Sequence, residues 1–271
     1  MNIEQMQKIA NNVRKNIITQ VYEAKSGHIG GSLSAADIVT TLYFHEMNIS
    51  MENIKDKQRD KFVLSKGHAS PLLFAILHEV GVLSKEDLLT FRKINSKLQG
   101  HPNMNYVDGV DMSTGSLGQG ISAAVGMALS YKAKELPYRV YTLVGDGESQ
   151  EGQVWEAAMA AAHYKLDNLV MILDWNGYQI DGDITKVMNP LPLDEKFKAF
   201  GWNVLLVDGH DMQALLDSYQ QARNTKGKPT AIIARTVKGK GVDFMENEYS
   251  WHGVAPNQEQ YESAMKQLEG K

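Results

Sequence analysis

Residues 139–176 read RVYTLVGDGESQEGQVWEAAMAAAHYKLDNLVMILDWN. Val140 to Val144 is a short, almost wholly apolar run closed by Gly145. A run of that length, bounded by glycine, reads as a buried strand. Gln153 to Tyr164 follows with helical spacing, and Leu169 to Asp174 repeats the apolar run. Parallel neighbours need a crossover of about a dozen residues or more, and the stretch between the two runs fits one. Further along, Asn203 to Val207 reads as a strand, Met212 to Arg223 as a helix and Thr230 to Arg235 as another strand. Upstream, Lys61 to Leu64 reads as a short strand. Strands alternating with helices predict an α/β fold: a mostly parallel sheet with helices on both faces.

The flanks agree with that plan. Ile3 to Ala24 places apolar residues at helical spacing, with Gly27 as a plausible stop. A second helix is expected from Ser34, capped by Asp37, to about His45. Ser84 and Asp87 form a similar pair opening a helix through about Arg92. Gly118 to Lys134 is alanine-rich, with small residues at Ser122, Gly126 and Ser130 that let another helix approach closely. Gln258 to Leu268 is expected to be a closing helix. No repeat, low-complexity tract or linker divides the chain, so residues 1–271 are expected to form a single domain.

Composition removes several function classes. The 28 basic and 32 acidic side chains give a net charge of −4, with no electrostatic footprint for nucleic acid or an anionic membrane. No apolar run approaches the ~20 residues of a membrane span, and the N-terminus does not read as a signal peptide. The chain has no cysteine, which excludes disulfides, thiolate metal sites and cysteine nucleophiles. A cytoplasmic enzyme is the expectation.

The chemistry concentrates at strand ends. Gly145-Asp146-Gly147 closes one strand, and Asn176 lies at the end of the next. Ligands of open parallel sheets sit outside the carboxyl ends of strands. Asp146 offers a carboxylate and Asn176 an amide oxygen, a donor set for a hard cation that keeps places for phosphate oxygens and water. A diphosphate held by Mg²⁺ suits such a site. Of eight histidines, His45, His78 and His163 fall on expected helices. His28, His68, His101, His210 and His252 each neighbour a glycine in a loop, where ligands can approach closely. Gly118-Gln-Gly120-Ile-Ser-Ala123 fits a dinucleotide-binding pattern, but no apolar strand precedes it.

The whole set of motifs resembles the transketolase family. Residues 145–177, from Gly145-Asp146-Gly147 to Asn176-Gly177, look like the thiamine diphosphate motif. The blocks SGHIGGSLSAAD (26–37), SKGHASPLLFAIL (65–77), GHP (100–102), STGSLGQGISAAVGMA (113–128), GDGESQEGQVWEA (145–157), VKGKGVDFME (237–246) and WHG (251–253) occur in the family's order. The resemblance implies that Mg²⁺ or another divalent cation is held by Asp146, Asn176 and the carbonyl of Tyr178. It implies that His68 and His252 face the cofactor diphosphate, and that His28, His101 and His252 serve the ketose. It places Gly115, Leu117, Gly145, Gly147 and Ile180 around the cofactor, and Glu151 between the two active sites of a dimer. The bland alternatives are a capping carboxylate for Glu151 and ordinary core residues for Leu117 and Ile180. No role is implied for His210, and Lys238 and Lys240 read more readily as surface lysines than as phosphate ligands.

The family's ylid-forming glutamate belongs to a second, pyrimidine-binding domain. Here the chain ends after Trp251-His252-Gly253 and one helix. It is therefore expected to be the N-terminal, diphosphate-binding subunit of a split transketolase, paired with a C-terminal subunit in a heterotetramer and moving a two-carbon ketol group between sugars. The alternatives are a subunit of another thiamine diphosphate enzyme, such as a deoxyxylulose phosphate synthase or 2-oxo acid dehydrogenase, and a non-catalytic module retaining the fold.

Overall fold

The structure, a computed structural model, describes residues 1–269. Its first half holds helices α1 (Ile3–Ala24), α2 (Gly30–Ser34), α3 (Ala36–Thr41), α4 (Ser70–Val80), α5 (Lys85–Leu88) and α6 (Gln119–Ala133), with strand β1 (Lys61–Leu64) before α4. Strand β2 (Val140–Gly145), helix α7 (Gly152–His163) and strand β3 (Leu169–Trp175) follow. Then come a small hairpin, β4 (Tyr178–Gln179) and β5 (Gly182–Asp183), and helices α8 (Ile184–Val187) and α9 (Leu193–Ala199). The chain continues through β6 (Asn203–Asp208), α10 (Met212–Asn224), β7 (Thr230–Arg235) and α11 (Gln258–Leu268).

Five strands form one sheet in the order β1-β2-β3-β7-β6, and every pairing in it is parallel. Side chains alternate faces along each strand. Tyr141, Leu143, Val170, Ile172 and Ile232 turn to one face, where they pack with residues of α1, α3, α4 and α10. Val140, Val144, Leu169, Met171 and Ile233 turn to the other, against α6, α7 and α9. This is why the strands read as unbroken apolar runs: both faces are covered. Each such side chain, fully buried, contributes about 1.5–3 kcal/mol. Among the described residues no helix is long and apolar enough to cross a membrane.

The first helix matches its expected bounds. Asn2 and Gln5 form a reciprocal capping box, and Lys25 ends it in the left-handed conformation at φ 52°. Gly27 does not stop the helix; at φ +148° it turns the chain toward His28. The expected Ser34–Asp37 cap is not formed. Ala35 is the N-cap of α3, the Ser34 hydroxyl donates to Asp174, and the Asp37 carboxylate is taken by Arg14 and His210. The helical run does reach His45: α3 closes as an α-helix at Thr41 and continues without a break in the wider π form over Leu42–Glu46. The Ser84–Asp87 capping box does form, but α5 closes at Leu88, and Arg92 sits at φ +58°.

Candidate active site

Four strands deliver their carboxyl ends to one place. Ser65–His68 follow β1, Asp146 and Gly147 follow β2, Asn176 follows β3, and Thr236–Lys238 follow β7. Between these loops lies a cavity of about 330 Å³, and every expected site residue except His101 lines it. His101 stands at its edge, exposed, its ring 6.4 Å from that of His28. Beyond Arg92 lies a larger hollow of about 790 Å³, lined by Lys93, Lys97 and polar loop residues. That hollow carries none of the expected site residues.

A buried carboxylate organises the floor. Asp174, the penultimate residue of β3, is fully buried. Its Oδ2 accepts from Lys66 Nζ at 2.5 Å and from Ser34 Oγ at 2.6 Å, and its Oδ1 accepts from Thr236 Oγ1. Burial alone would raise its pKa, but Lys66 above all holds it below the usual carboxylate range. Asn176 Nδ2 also donates to Asp174, at 3.4 Å. That bond orients the amide, so its Oδ1 is the atom that accepts from the Tyr178 amide at 3.1 Å.

Asp146 is buried beside this network. It accepts backbone N–H bonds from Gly147 at 2.9 Å and from Gly177 at 2.6 Å. Burial and then the charge of Asp174 nevertheless push it up to about 7. A cation would relieve that frustrated charge. The donor set is one carboxylate, one amide oxygen and a main-chain carbonyl at Tyr178. Such a set suits a hard, oxygen-seeking ion that completes its shell with phosphate and water. It does not suit a zinc-type site, and among the described residues no group of three or more His, Asp or Glu is placed to hold a metal. The residues therefore fit Mg²⁺ or a similar divalent cation together with a diphosphate.

Glu148 braces the loops from below. Its Oε1 accepts from Ser65 Oγ at 2.5 Å and from the Gly118 amide at 3.0 Å, and its Oε2 from the Gly145 amide at 3.0 Å. Gly118 has φ +80°, and a Cβ there would lie 2.8 Å from Glu151 Cβ. Glycine is what lets α6 start against the cavity.

The opposite wall is a cluster of imidazoles. The rings of His28, His68 and His252 form a triangle with centroid separations of 5.2 and 5.3 Å. All three have depressed pKa values. Burial is the largest cause in each, followed by nearby cations: His28 falls to about 4 beside Arg92, His252 to about 3 beside Lys238, and His68 falls well below 6.5 beside Lys66. They are neutral at physiological pH. Lys238 Nζ donates to His252 Nδ1 at 3.1 Å, and Arg92 Nη2 to His28 Nδ1 at 3.4 Å. Lysine and arginine only donate, so both rings carry their proton on Nε2. Two neutral N–H donors are thus left for a ligand's oxygens, beside the cationic ends of Lys66 and Lys238.

Several sequence expectations change here. Lys238 is no surface lysine: it is 1% exposed, in the cavity wall, with burial and Lys66 lowering it to about 8. Lys240 does face away, pairing with Glu246 at 3.5 Å. Ile180 is 61% exposed and lines the cavity, so it is no core residue. Glu151 is the N-cap residue of α7, but its side chain makes no capping bond. His210 lies outside the cavity, bonded to Asp37 and Val237. Lys66, Asp174, Glu148, Gln150 and Gln179 escape sequence reading, although all but Gln179 sit inside the motifs quoted above.

The chain matches a family model described as "Transketolase, thiamine diphosphate binding domain" over residues 5–270. It is 43% identical over 265 residues to "6-deoxy-6-sulfo-D-fructose transketolase subunit SqwG" of Clostridium sp. (strain MSTE9), covering 97% of this chain and 96% of that one. It is 41% identical over 268 residues to one of the subunits of an apulose-4-phosphate transketolase from Phocaeicola vulgatus, covering 99% and 95%. Among solved structures, transketolase from Campylobacter jejuni superposes with a TM-score of 0.93 at 38% identity. That match covers 99% of this chain and 43% of the Campylobacter chain.

Proposed function

The chain belongs to the transketolase thiamine diphosphate-binding family, and from that premise we propose that it is the diphosphate-binding subunit of a two-chain transketolase. It would act as a single domain that transfers a two-carbon ketol group from an anionic ketose to an aldose. The observation that carries the reading is the cavity itself, in which the oxygens of Asp146 and Asn176 face a triangle of neutral histidines. Both relatives named as subunits match along nearly their whole length. Their named substrates carry a sulfonate or a phosphate, which supports an anionic sugar here.

Each residue then has a task. Asp146, the Asn176 amide oxygen and the Tyr178 carbonyl would hold the divalent cation beside the diphosphate. His68, Lys238 and His252 meet its oxygens, while Gly145 and Gly147 keep the backbone close. Gly115, Leu117 and Ile180 pack around the cofactor rings, and Glu151 reaches toward a neighbouring subunit. Thiamine diphosphate, when bound, supplies the nucleophilic carbon and the electron sink. His28, His101 and His252 hydrogen-bond the ketose oxygens. As neutral Nε2–H donors, His28 and His252 can hydrogen-bond an oxygen where negative charge develops.

The pyrimidine side of the cofactor would come from a second chain, within a symmetric heterotetramer, since closed two-fold assemblies are the commonest. The test is co-expression with a candidate partner, native mass measurement and an assay with a charged ketose, an aldose, thiamine diphosphate and Mg²⁺. Ketol transfer by the pair, absent from this chain alone, is the expected result. Full activity of the isolated chain would defeat the two-chain reading. Turnover of a 2-oxo acid instead of a ketose would replace the transketolase assignment.

A further inference from the structure

The loop histidine His210 lies outside the cavity, yet its contacts lead back to it. It sits in the turn after β6, with its own amide bonded to Asp208 Oδ1 at 2.8 Å. Its ring bridges two elements. Nδ1 lies 2.8 Å from Asp37 Oδ2, and Nε2 accepts from the Val237 amide at 2.9 Å. An Nε2 that accepts leaves the ring proton on Nδ1, where it donates to Asp37. Asp37 is 6% exposed and also takes Arg14 Nη2 at 2.5 Å. A buried carboxylate paired with a guanidinium stays ionised and demands donors. Arg14 and Asp37 thereby dictate the tautomer of His210, and that tautomer dictates that Nε2 faces Val237.

Val237 immediately precedes Lys238. The segment is tied on both sides, by Thr236 Oγ1 to Asp174 and by the Gly239 amide to the Gly30 carbonyl at 3.1 Å. Between those ties, His210 takes the Val237 amide. Lys238 in turn donates to His252 Nδ1 and so sets which nitrogen of His252 carries the proton.

We propose that His210 is a positioning residue: through the Val237 amide it fixes Lys238 against His252, and so sets the tautomer of His252 from outside the cavity. Its catalytic consequence rests on the function proposed above, whereas its structural content does not.

The two histidine-like amides separate this role from general packing. In His210→Gln the amide lies where Nε2 was and can still accept from Val237. In His210→Asn it lies where Nδ1 was and reaches Asp37 only. Three measurements on the enzyme assembled with its partner decide the matter: hydrogen exchange at the Val237 amide, the ¹⁵N signals of the His252 ring, and steady-state kinetics with a charged ketose. In His210→Asn, Val237 protection and kcat should each fall about three- to tenfold, the effect of one hydrogen bond. The His252 signals should move toward a mixture of tautomers, and the ketose KM should hold within about twofold, as for a loss confined to the reacting state. His210→Gln should restore all of these. Unchanged Val237 exchange in His210→Asn would overturn the proposal, as would equal losses in the Asn and Gln variants. If the unmutated assembly fails to turn over any ketose, the proposed function falls, and the exchange and ¹⁵N measurements still decide the role of His210.

Discussion

On the floor of the cavity, the polar groups are bonded within the chain; at its rim, side chains stand in solvent. Lys66 and Asp174 neutralise one another, Glu148 ties three loops, and Thr236 and Ser34 close the network. At the rim, His101 and Glu151 are exposed and Ile180 is 61% exposed. A site whose donors are locked before the ligand arrives avoids reorganising at the moment of reaction. The floor meets that condition and the rim does not. The contrast teaches that the floor is preorganised by bonds within this chain, whereas the rim has no such network to fix it; in the proposed assignment the floor is the diphosphate end.

The severest way to break the floor is to remove its frustrated charge. Asp146→Ala should cost the assembled enzyme about a hundredfold or more in divalent-cation-dependent thiamine diphosphate affinity. Loss of mere outer partners of a metal already costs about 10–100-fold. Asn176→Ala should cost less, because a neutral oxygen contributes less than a carboxylate. Calorimetric titration in the presence of Mg²⁺ checks both, and unchanged affinity in Asp146→Ala would remove the cation from the site.

Next in size are the imidazoles. His28→Ala and His101→Ala should leave cofactor affinity nearly intact. Each should lower kcat/KM for the ketose by about three- to tenfold if one neutral hydrogen bond is lost, and by about a hundredfold if proton transfer is lost as well. Cofactor loss with normal turnover at saturation would reverse the assigned roles. His28 also makes a pH signature. Its pKa falls from 6.5 to about 4 because of burial, then Arg92, His101 and Lys238. The unfolded chain thus binds a proton that the folded one refuses between pH 6.5 and about 4. Stability is full above that window and declines as pH falls through it. His28→Gln should flatten the decline in urea unfolding measured across it. An unaltered slope would mean the ring protonates freely in the folded state.

How much of this is legible in the sequence follows the same division. The parallel sheet is readable because β2, β3 and β7 are short apolar runs bounded by turns, and their ends give Asp146 and Asn176. Helix α4 is not, because Ser70–Leu77 is buried on every side and shows no amphipathic period. Lys66 and Lys238 escape or mislead because a lysine is ordinarily a surface residue. Their burial depends on Asp174 and His252, which are remote in sequence from one or both of them. Ser34 and Asp37 look like a helix cap, and tertiary partners claim both. At the rim, Glu151 and Ile180 are named through family resemblance alone, since an isoleucine in a loop carries no local signal, whereas His101 stands out beside Gly100.

Beneath the floor, packing sets a smaller effect. Gly120, in the first turn of α6, would place a Cβ 2.6 Å from Ser65 Cα. Backbone cannot yield as a flexible side chain would. Gly120→Ala should therefore destabilise the chain by about 1–3 kcal/mol, the usual cost of overpacking. The damage should reach the cavity through Ser65, which donates to Glu148. Thermal unfolding with cofactor titration tests this. A variant as stable as the parent would show that α6 can slide, and the floor would be less rigid than the bonding implies.

The smallest expected effect is at the rim, and it tests the contrast from the other side. Ile180 follows the β4 strand, beside the cavity and facing solvent. An exposed side chain contributes little to its own fold, so Ile180→Ala should change the stability of the isolated chain by no more than about 0.5 kcal/mol. In the assembly, the same side chain would be covered by cofactor and partner. Its truncation should then weaken thiamine diphosphate binding measurably, by the loss of several buried methyl and methylene contacts at about 0.8 kcal/mol each. Chemical denaturation of the chain alone and cofactor titration of the assembled enzyme read the two halves separately. A stability loss in the isolated chain would place Ile180 with the floor. No change in either measurement would mean that the rim around Ile180 stays open when the enzyme works, and that the second surface docks elsewhere.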